Sequence, residues 1–563
     1  MCTVYPELAV KPTFRVLLLT NPLRRDEDPS YAFRVVLRAI FCLQTSSTAG
    51  LARGGAAETC PFLWLSCLFS LAQVTLYVAQ PRSGIRTRRP SVTSSLLICS
   101  TTMERHTTQR TLIFATFALI AAAVSLPNVA AGNDRLANIP RSEYRTRRQK
   151  LLGQIKDGVV VMTGAREEDL GEIGRFRQHN DFMYITGVQT PDAYLIFVPP
   201  GVIPGKPQHE TAFIPLRNIM HEKWTGVQLG PGPDAERLFG LEEVAASTTF
   251  KDRLSQLLSQ PGAEGKPLPK IYTVIPTGPG SDISRESRFV EMLRQTYPKN
   301  EIVDVSKIIA EMRKVKSLSE IELLQKAVDV SIEGHRELLR ALKPGAYEYE
   351  AQAALEAAWM RLGSERPGYT SIIGSGINGT ILHYNENRKR IEAGELVVVD
   401  AAAEYSYYTA DITRTFPASG KFTPRQREIY QLVLDAQRAA EKAFVPGKSR
   451  LVDLQRAARD VMTSSRLRDQ HGNTLERYFI HGLGHWIGMD VHDVGNYGVL
   501  PAGSVFTIEP GIYLPEEGFG VRIEDNYLVT EKGLVKMSAK LPSEPDEIER
   551  MMARARAQET QPR

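Results

Sequence analysis

Two aspartates, Asp400 and Asp411, stand eleven residues apart in Val397-Val398-Val399-Asp400-Ala401-Ala402-Ala403-Glu404-Tyr405 and Thr409-Ala410-Asp411-Ile412-Thr413-Arg414-Thr415. The first ends the apolar run Leu396 to Val399, and the second opens an alternating Ile/Thr/Arg/Thr/Phe segment, so both read as strand residues able to face one another across a hairpin. Three more residues of the same chemical kind follow. His485 lies in Ile480-His481-Gly482-Leu483-Gly484-His485-Trp486, Glu509 in Phe506-Thr507-Ile508-Glu509-Pro510-Gly511-Ile512-Tyr513, and Glu524 in Val521-Arg522-Ile523-Glu524-Asp525-Asn526. Brought together, four carboxylates and one imidazole form a hard, oxygen-rich ligand set for two divalent ions, Mn2+ first, with Co2+ or Zn2+ able to substitute. Such a set suits structural zinc poorly. Four carboxylates within a few ångströms cannot all stay ionised without cations between them, and two metal ions supply four positive charges.

Singly, each residue has an ordinary explanation as a strand-end charge or a satisfied core histidine. Five of them, each embedded in an apolar strand-like segment, do not, because strand interiors rarely collect acids. Other chemistries fit less well. His481 and His485 have the spacing of a zincin pair, but Gly482 stands where that mechanism needs a glutamate, and the flanking glycines oppose a helix. Gly374-Ser375-Gly376 is neither a nucleophile elbow nor a phosphate loop, and no Gly-x-Gly-x-x-Gly follows a strand. All five cysteines precede Met103, which excludes thiol catalysis and cysteine-based zinc sites from the remainder of the chain.

The elements that must position these residues fall into two groups. From Arg145 to about residue 305, helical stretches (Arg145 to Lys156, Asp252 to Leu258, Ser284 to Gln295) alternate with short apolar runs (Gly158 to Met162, Tyr194 to Val198, Thr211 to Ile214, Ile271 to Ile275), the pattern of an α/β domain. A capping box, Ser317-Leu318-Ser319-Glu320, then opens a helix with Ile321, Leu324, Val328 and Ile332 on one face, and a second domain begins there. Its further helices run from Tyr349 to Leu362 and Arg425 to Phe444, and Lys343-Pro344-Gly345 and Val445-Pro446-Gly447 end two helices in the same way. The strands of this second half carry the five residues above, together with His383 and His492.

The segments His481-Gly-Leu-Gly-His485, Asp490-Val-His-Asp493, Ile508-Glu-Pro-Gly-Ile-Tyr513 and Arg522-Ile-Glu-Asp525, following Asp400 and Asp411-Ile-Thr-Arg-Thr-Phe-Pro417, resemble the dinuclear metallopeptidases of the pita-bread fold, and within them aminopeptidase P. The resemblance covers roughly residues 140–545 and includes Phe176-Arg177-Gln178, Asp181-Phe182-Met183-Tyr184-Ile185-Thr186-Gly187, Pro191-Asp192-Ala193 and Glu222-Lys-Trp224-Thr-Gly226 in the first domain. It implies an α+β protein with an aminopeptidase P-type α/β domain over 132–310, a pita-bread catalytic domain over 311–545 and a tail over 546–563.

The function it implies is hydrolysis of the bond between an N-terminal residue and a penultimate proline. Asp400, Asp411, His485, Glu509 and Glu524 would bind two metals, with a bridging hydroxide as nucleophile and Glu509 as general base. His383 and His492 would stabilise the developing oxyanion, and His481, Tyr513 and Arg522 would orient ligands or line the proline pocket. Proline-containing peptides are then the substrates, and a dimer or tetramer is expected. The alternatives are an Xaa-Pro dipeptidase, which shares the metal motifs, and a peptide-binding module that kept the fold without catalysis.

Charge divides the chain unevenly. Residues 1–102 carry a net +6 and residues from 132 onward a net −2, so the basic pI of about 8.8 belongs to the leader, and the body gives no bulk argument for nucleic acid as a partner. From Met103, a short basic stretch, the apolar run Leu112 to Leu126 and the small residues up to Ala131 have the form of a secretory signal peptide cleaved near Ala131. On this reading residues 1–102 are an upstream extension, disordered or not translated, residues 103–131 are the signal, and the body is exported to the periplasm or secreted. The competing reading makes Pro61 to Val78 a membrane span, though it is short for one. Mass measurement of the mature chain should place its first residue just after Ala131; peptides spanning Cys2 to Cys99 in purified material would contradict this.

Overall fold

The computed structural model describes residues 135–167, 175–203, 208–259, 270–277 and 284–559. The upstream extension, the signal-like segment and Pro61 to Val78 lie outside them. Among the described residues no helix is long and apolar enough to cross a membrane.

The first half is built on a six-stranded sheet of β1 (Gly158–Thr163), β2 (Tyr194–Val198), β3 (His209–Ile214), β4 (Glu243–Ala246), β5 (Lys270–Thr273) and β6 (Glu301–Asp304). The spatial order is β4-β3-β2-β1-β5-β6, with β1–β2 and β2–β3 antiparallel and the other pairs parallel. Strand β1 is apolar without alternation because both of its faces are covered. Val160 and Met162 pack with helices α1 (Arg141–Gln154) and α2 (Asn180–Thr186); Val159 and Val161 pack on the other side with α3 (Phe250–Leu258) and α4 (Arg285–Thr296). Helix α5 (Ser306–Lys314) leads out of the sheet.

Helix α6 (Leu318–Ala341) starts at Ser317, whose side chain accepts from the Glu320 amide while the Glu320 carboxylate accepts from the Ser317 amide. Its Leu324, Val328 and Ile332 enter the same core as α1, α2 and β1, so the two halves share apolar packing. Helix α7 (Glu348–Arg361) follows the first Pro-Gly turn; the pair α8 (Pro424–Ala443) and α9 (Leu451–Ser464) flanks the second.

Two β structures carry the chemistry. In the first, β8 (Leu396–Asp400) lies between β7 (Ile372–Ser375) and β11 (Thr413–Pro417), with Asp400 opposite Thr413. The hairpin of β9 (Ala403–Tyr405) and β10 (Tyr408–Thr409) intervenes, turning at Ser406 and Tyr407, both at positive φ. In the second, β12 (Val505–Ile508) pairs with β15 (Asp525–Thr530), and β13 (Gly511–Leu514) pairs with β14 (Phe519–Arg522). These form one antiparallel ribbon whose two strands are interrupted at the same level, at Glu509-Pro510 and at Ile523-Glu524. Pro510 has no N–H to give to a ladder.

This corrects the expectation that all five metal-type residues lie within strands. Asp400 ends one; Asp411 precedes β11 by two residues, Glu509 and Glu524 occupy the ribbon's break, and His485 lies in an irregular loop. His383 and His492 are likewise in turns and loops. A carboxylate in the middle of a paired strand would be aimed by the pleat alone, whereas the break frees each side chain to turn inward.

The first half also fastens the loop that bears His492. Arg313, at the end of α5, contacts Asp181 at 2.8 Å, Asp490 at 2.6 Å and Asp493 at 2.5 Å, and Lys316 contacts Asp493 at 2.9 Å. Burial opposes ionisation of Asp493, but Arg313 and Lys316 outweigh it and hold its pKa below the usual carboxylate value. A carboxyl with a depressed folded pKa contributes stability that is present above its unfolded pKa and lost as pH falls through the folded one. Asp493→Asn strands the Lys316 ammonium, whose side chain is 1% exposed. Chemical denaturation should therefore show a loss of about 3–5 kcal/mol at pH 7, with a shallower decline below pH ~4 than in the parent.

Candidate metal centre

Each acid is held by contacts that fix it before any ligand arrives. Asp400 Oδ2 accepts from Arg522 at 2.6 Å, and its Oδ1 lies 2.6 Å from the Tyr369 hydroxyl. The same hydroxyl reaches Asp411 Oδ1 at 2.5 Å, and Asn526 clasps the Asp411 backbone from both sides. Glu524 Oε2 accepts from the Thr413 hydroxyl at 2.7 Å. Glu509 is tied through its backbone amide to Leu483 O at 2.8 Å, next to the histidine loop.

That loop runs against β12. His485 N donates to the Thr507 hydroxyl at 3.1 Å and His485 O accepts from Thr507 N at 2.9 Å. Only glycine can precede it there, since a Cβ on Gly484 would sit 1.9 Å from Thr507 O. His485 Nδ1 lies 3.0 Å from Trp486 O, which assigns the proton to Nδ1. Its Nε2 faces Asp411 Oδ2 and Glu509 Oε1, each at 3.4 Å.

A ring nitrogen and two carboxylate oxygens at that spacing can share a metal ion between them. Three further observations agree with a metal in that place. Ligand atoms of Asp411, His485 and Glu524 all lie within 4.8 Å of one another. Glu524 Oε1 is buried with no hydrogen-bond partner. Burial first, and neighbouring carboxylates next, drive the pKa values of Asp411, Glu509 and Glu524 well above the ordinary range: Asp400 acts on Asp411, Glu524 on Glu509, and Asp411 on Glu524. The donor set fits divalent metal ions.

Of the remaining singled-out residues, His383, His481, His492 and Arg522 line a cleft of about 540 Å³ that opens onto these acids, and Tyr513 does not. The His492 ring packs 4.1 Å from that of His485. Burial pulls His492 down to about 4, so it is neutral at pH 7. His481, Tyr513 and Arg522 form a chain: Arg522 donates to the Tyr513 hydroxyl at 2.8 Å, and Tyr513 lies 2.8 Å from His481 Nε2. Burial, then Arg522, lowers His481 to about 4.

Sequence reasoning missed Tyr369, Thr413, Thr507 and Asn526. Thr413 and Asn526 stand two residues from Asp411 and Glu524, near enough to have been suspected; Tyr369, in Pro367-Gly368-Tyr369-Thr370, carried no signal.

Residues 322–531 match the model of metallopeptidase family M24, and residues 144–264 that of the aminopeptidase P N-terminal domain. The chain is 34% identical over 454 residues to the Xaa-Pro aminopeptidase of Escherichia coli K12, covering 75% of this chain and 100% of the relative. It is 29% identical over 465 residues to human Xaa-Pro aminopeptidase 3, covering 76% and 89%. Among solved structures, Zn-substituted E. coli aminopeptidase P in complex with product superposes with a TM-score of 0.65 at 32% identity, covering 74% of this chain and 99% of that one. Proline aminopeptidase P II from Yersinia pestis gives 0.65 and 32%, covering 74% and 100%. With both domain models matched in order and the E. coli relative covered over its full length, the chain is a hydrolase of metallopeptidase family M24 and belongs to its aminopeptidase P branch.

Proposed function

We propose that this chain is a metal-dependent Xaa-Pro aminopeptidase that removes an N-terminal residue preceding proline. The observation that carries the reading is the convergence of Asp411, His485 and Glu524 within 4.8 Å, with Glu509 against His485 and Asp400 sharing the Tyr369 hydroxyl with Asp411, at one wall of a peptide-sized cleft. Asp400, Asp411, His485, Glu509 and Glu524 would hold two divalent ions, and their oxygen-rich donors favour Mn2+ over a softer metal. Bound there, such ions supply Lewis acidity toward the scissile carbonyl and lower the pKa of water.

The chain's own groups do the rest. Glu509 takes the proton of the attacking water on its carboxylate and returns it to the prolyl nitrogen as the C–N bond breaks. His383 and His492, both lining the cleft, donate to the substrate carbonyl as charge develops on its oxygen. Arg522 fixes Asp400 and, through Tyr513, the His481 ring, while Ile372, Leu382 and Val491 give the cleft an apolar edge suited to a proline ring. The match to an aminopeptidase P N-terminal domain favours this activity over Xaa-Pro dipeptidase.

Two further readings belong to the proposal. The exposed side chains of Leu216, Ile219, Met220, Trp224 and Val227 support association of copies into a dimer or tetramer. The signal-like segment ending near Ala131 supports export.

A panel of Xaa-Pro-Xaa and Xaa-Pro peptides, with metal analysis, tests the activity. We expect hydrolysis of the tripeptides in particular, about two metals per chain, and abolition in Glu509→Ala. His492→Ala should keep its metals and lose about 10²–10³ in rate, whereas Asp411→Ala should lose metal. A His492 variant without metals beside a fully loaded Asp411 variant would refute the assignment; preference for dipeptides would make the enzyme a prolidase, and metal-free, inactive protein would make it a binding module.

A further inference from the structure

Glu348 opens helix α7, is fully buried, and does not line the cleft. Its carboxylate collects five donors from one loop. Oε1 accepts from Ser375 N at 2.8 Å, the Ser375 hydroxyl at 2.7 Å and Asn378 Nδ2 at 3.2 Å; Oε2 accepts from the Tyr384 hydroxyl at 2.8 Å and Lys389 N at 2.9 Å. The Glu348 amide in turn donates to Lys389 O at 3.0 Å. The segment from Ser375 to Lys389 is thus pinned at its start, near its middle and at its end by a single side chain.

His383 lies in that segment, directly before Tyr384. No side-chain hydrogen bond of the His383 ring is needed to place it if the backbone on either side is fixed. Leu382 O also accepts from Arg522 at 3.4 Å, which joins the segment to the guanidinium that grips Asp400. We infer that Glu348 is the positioning residue of the His383 segment, holding that imidazole over the cleft without touching the substrate. The inference rests on the reading of His383 as a donor to the substrate carbonyl.

Both carboxylate oxygens of Glu348 face backbone N–H groups, which can only donate, so both must accept. A glutamine in either orientation sets its NH2 against Ser375 N or against Lys389 N. Glu348→Gln therefore releases one end of the loop while changing the side chain's volume very little.

The test is a double-mutant cycle on the metal-loaded enzyme, following kcat and KM separately with metal content and thermal midpoint. His383→Ala should lower kcat/KM by about 10²-fold. Glu348→Gln should lower it by about 10–100-fold, mostly through kcat, with both metals retained. In the His383→Ala background Glu348→Gln should add less than about threefold, because the group it positions is already gone. Should Glu348→Gln fail to fold, Tyr384→Phe removes one donor and leaves the backbone contacts; it should give a smaller loss with the same dependence on His383. A slow His383→Ala enzyme beside a wild-type rate for the Glu348 or Tyr384 variant overturns the inference, as does an undiminished effect in the His383→Ala background. A wild-type rate for His383→Ala itself overturns the role of His383 and the inference with it.

Discussion

Asp400, Asp411, Glu509 and Glu524 crowd together, buried or half-buried, at the wall of one cleft, and their mutual repulsion sets the terms for everything around them. Two like charges about 4 Å apart repel by roughly 4 kcal/mol at an effective dielectric near 20. Several such pairs rival the ~5–15 kcal/mol by which a whole domain is stable. Arg522 offsets part of this at Asp400, and the hydroxyls of Tyr369 and Thr413 satisfy single oxygens. Protonation of some of the acids, or cations among them, must supply the rest. The Nε2 of His485, turned toward Asp411 and Glu509, favours the second answer, since a ring nitrogen placed among carboxylates completes a ligand set for a metal.

A fold that stores such repulsion has to hold its acids from behind. The interrupted ribbon does this by keeping hydrogen-bonded register on both sides of the break while exempting Glu509 and Glu524 from it. Behind the break, Arg414 is fully buried and spends its donors on the carbonyls of Thr413, Glu524, Leu541 and Pro542 and on the Asp525 carboxylate. The strand that presents Asp411 and the strand that presents Glu524 are thereby clamped together. Burial opposes ionisation of Asp525, yet Arg414 and Lys536 hold its pKa low, so this fifth acid remains a structural anion.

Much of this was legible from one-dimensional pattern. The capping box at Ser317, the apolar stripe of Leu324, Val328 and Ile332 and the unbroken apolar run of β1 each reflect local physics, and the corresponding elements begin within a few residues of them. The metal-type residues were legible as a set because acids in apolar surroundings are rare. Their backbone states were not. Alternation of Ile, Thr, Arg, Thr and Phe after Asp411 is real strand pattern, but it begins two residues late, since Asp411 leaves the ladder to turn toward His485. Pro510 was the visible sign that the ladder stops beside Glu509. The support from Tyr369 and Asn526 spans 31 and 115 residues of sequence, and no local rule encodes contacts of that length.

Crystals grown with Mn2+ and measured above and below the manganese absorption edge would test the central claim directly. The account predicts two anomalous peaks enclosed by Asp400, Asp411, His485, Glu509 and Glu524, with Arg522 still on Asp400. Peaks confined to other parts of the molecule, or protonated carboxyls hydrogen-bonded to one another in an ion-free centre at saturating Mn2+, would contradict it.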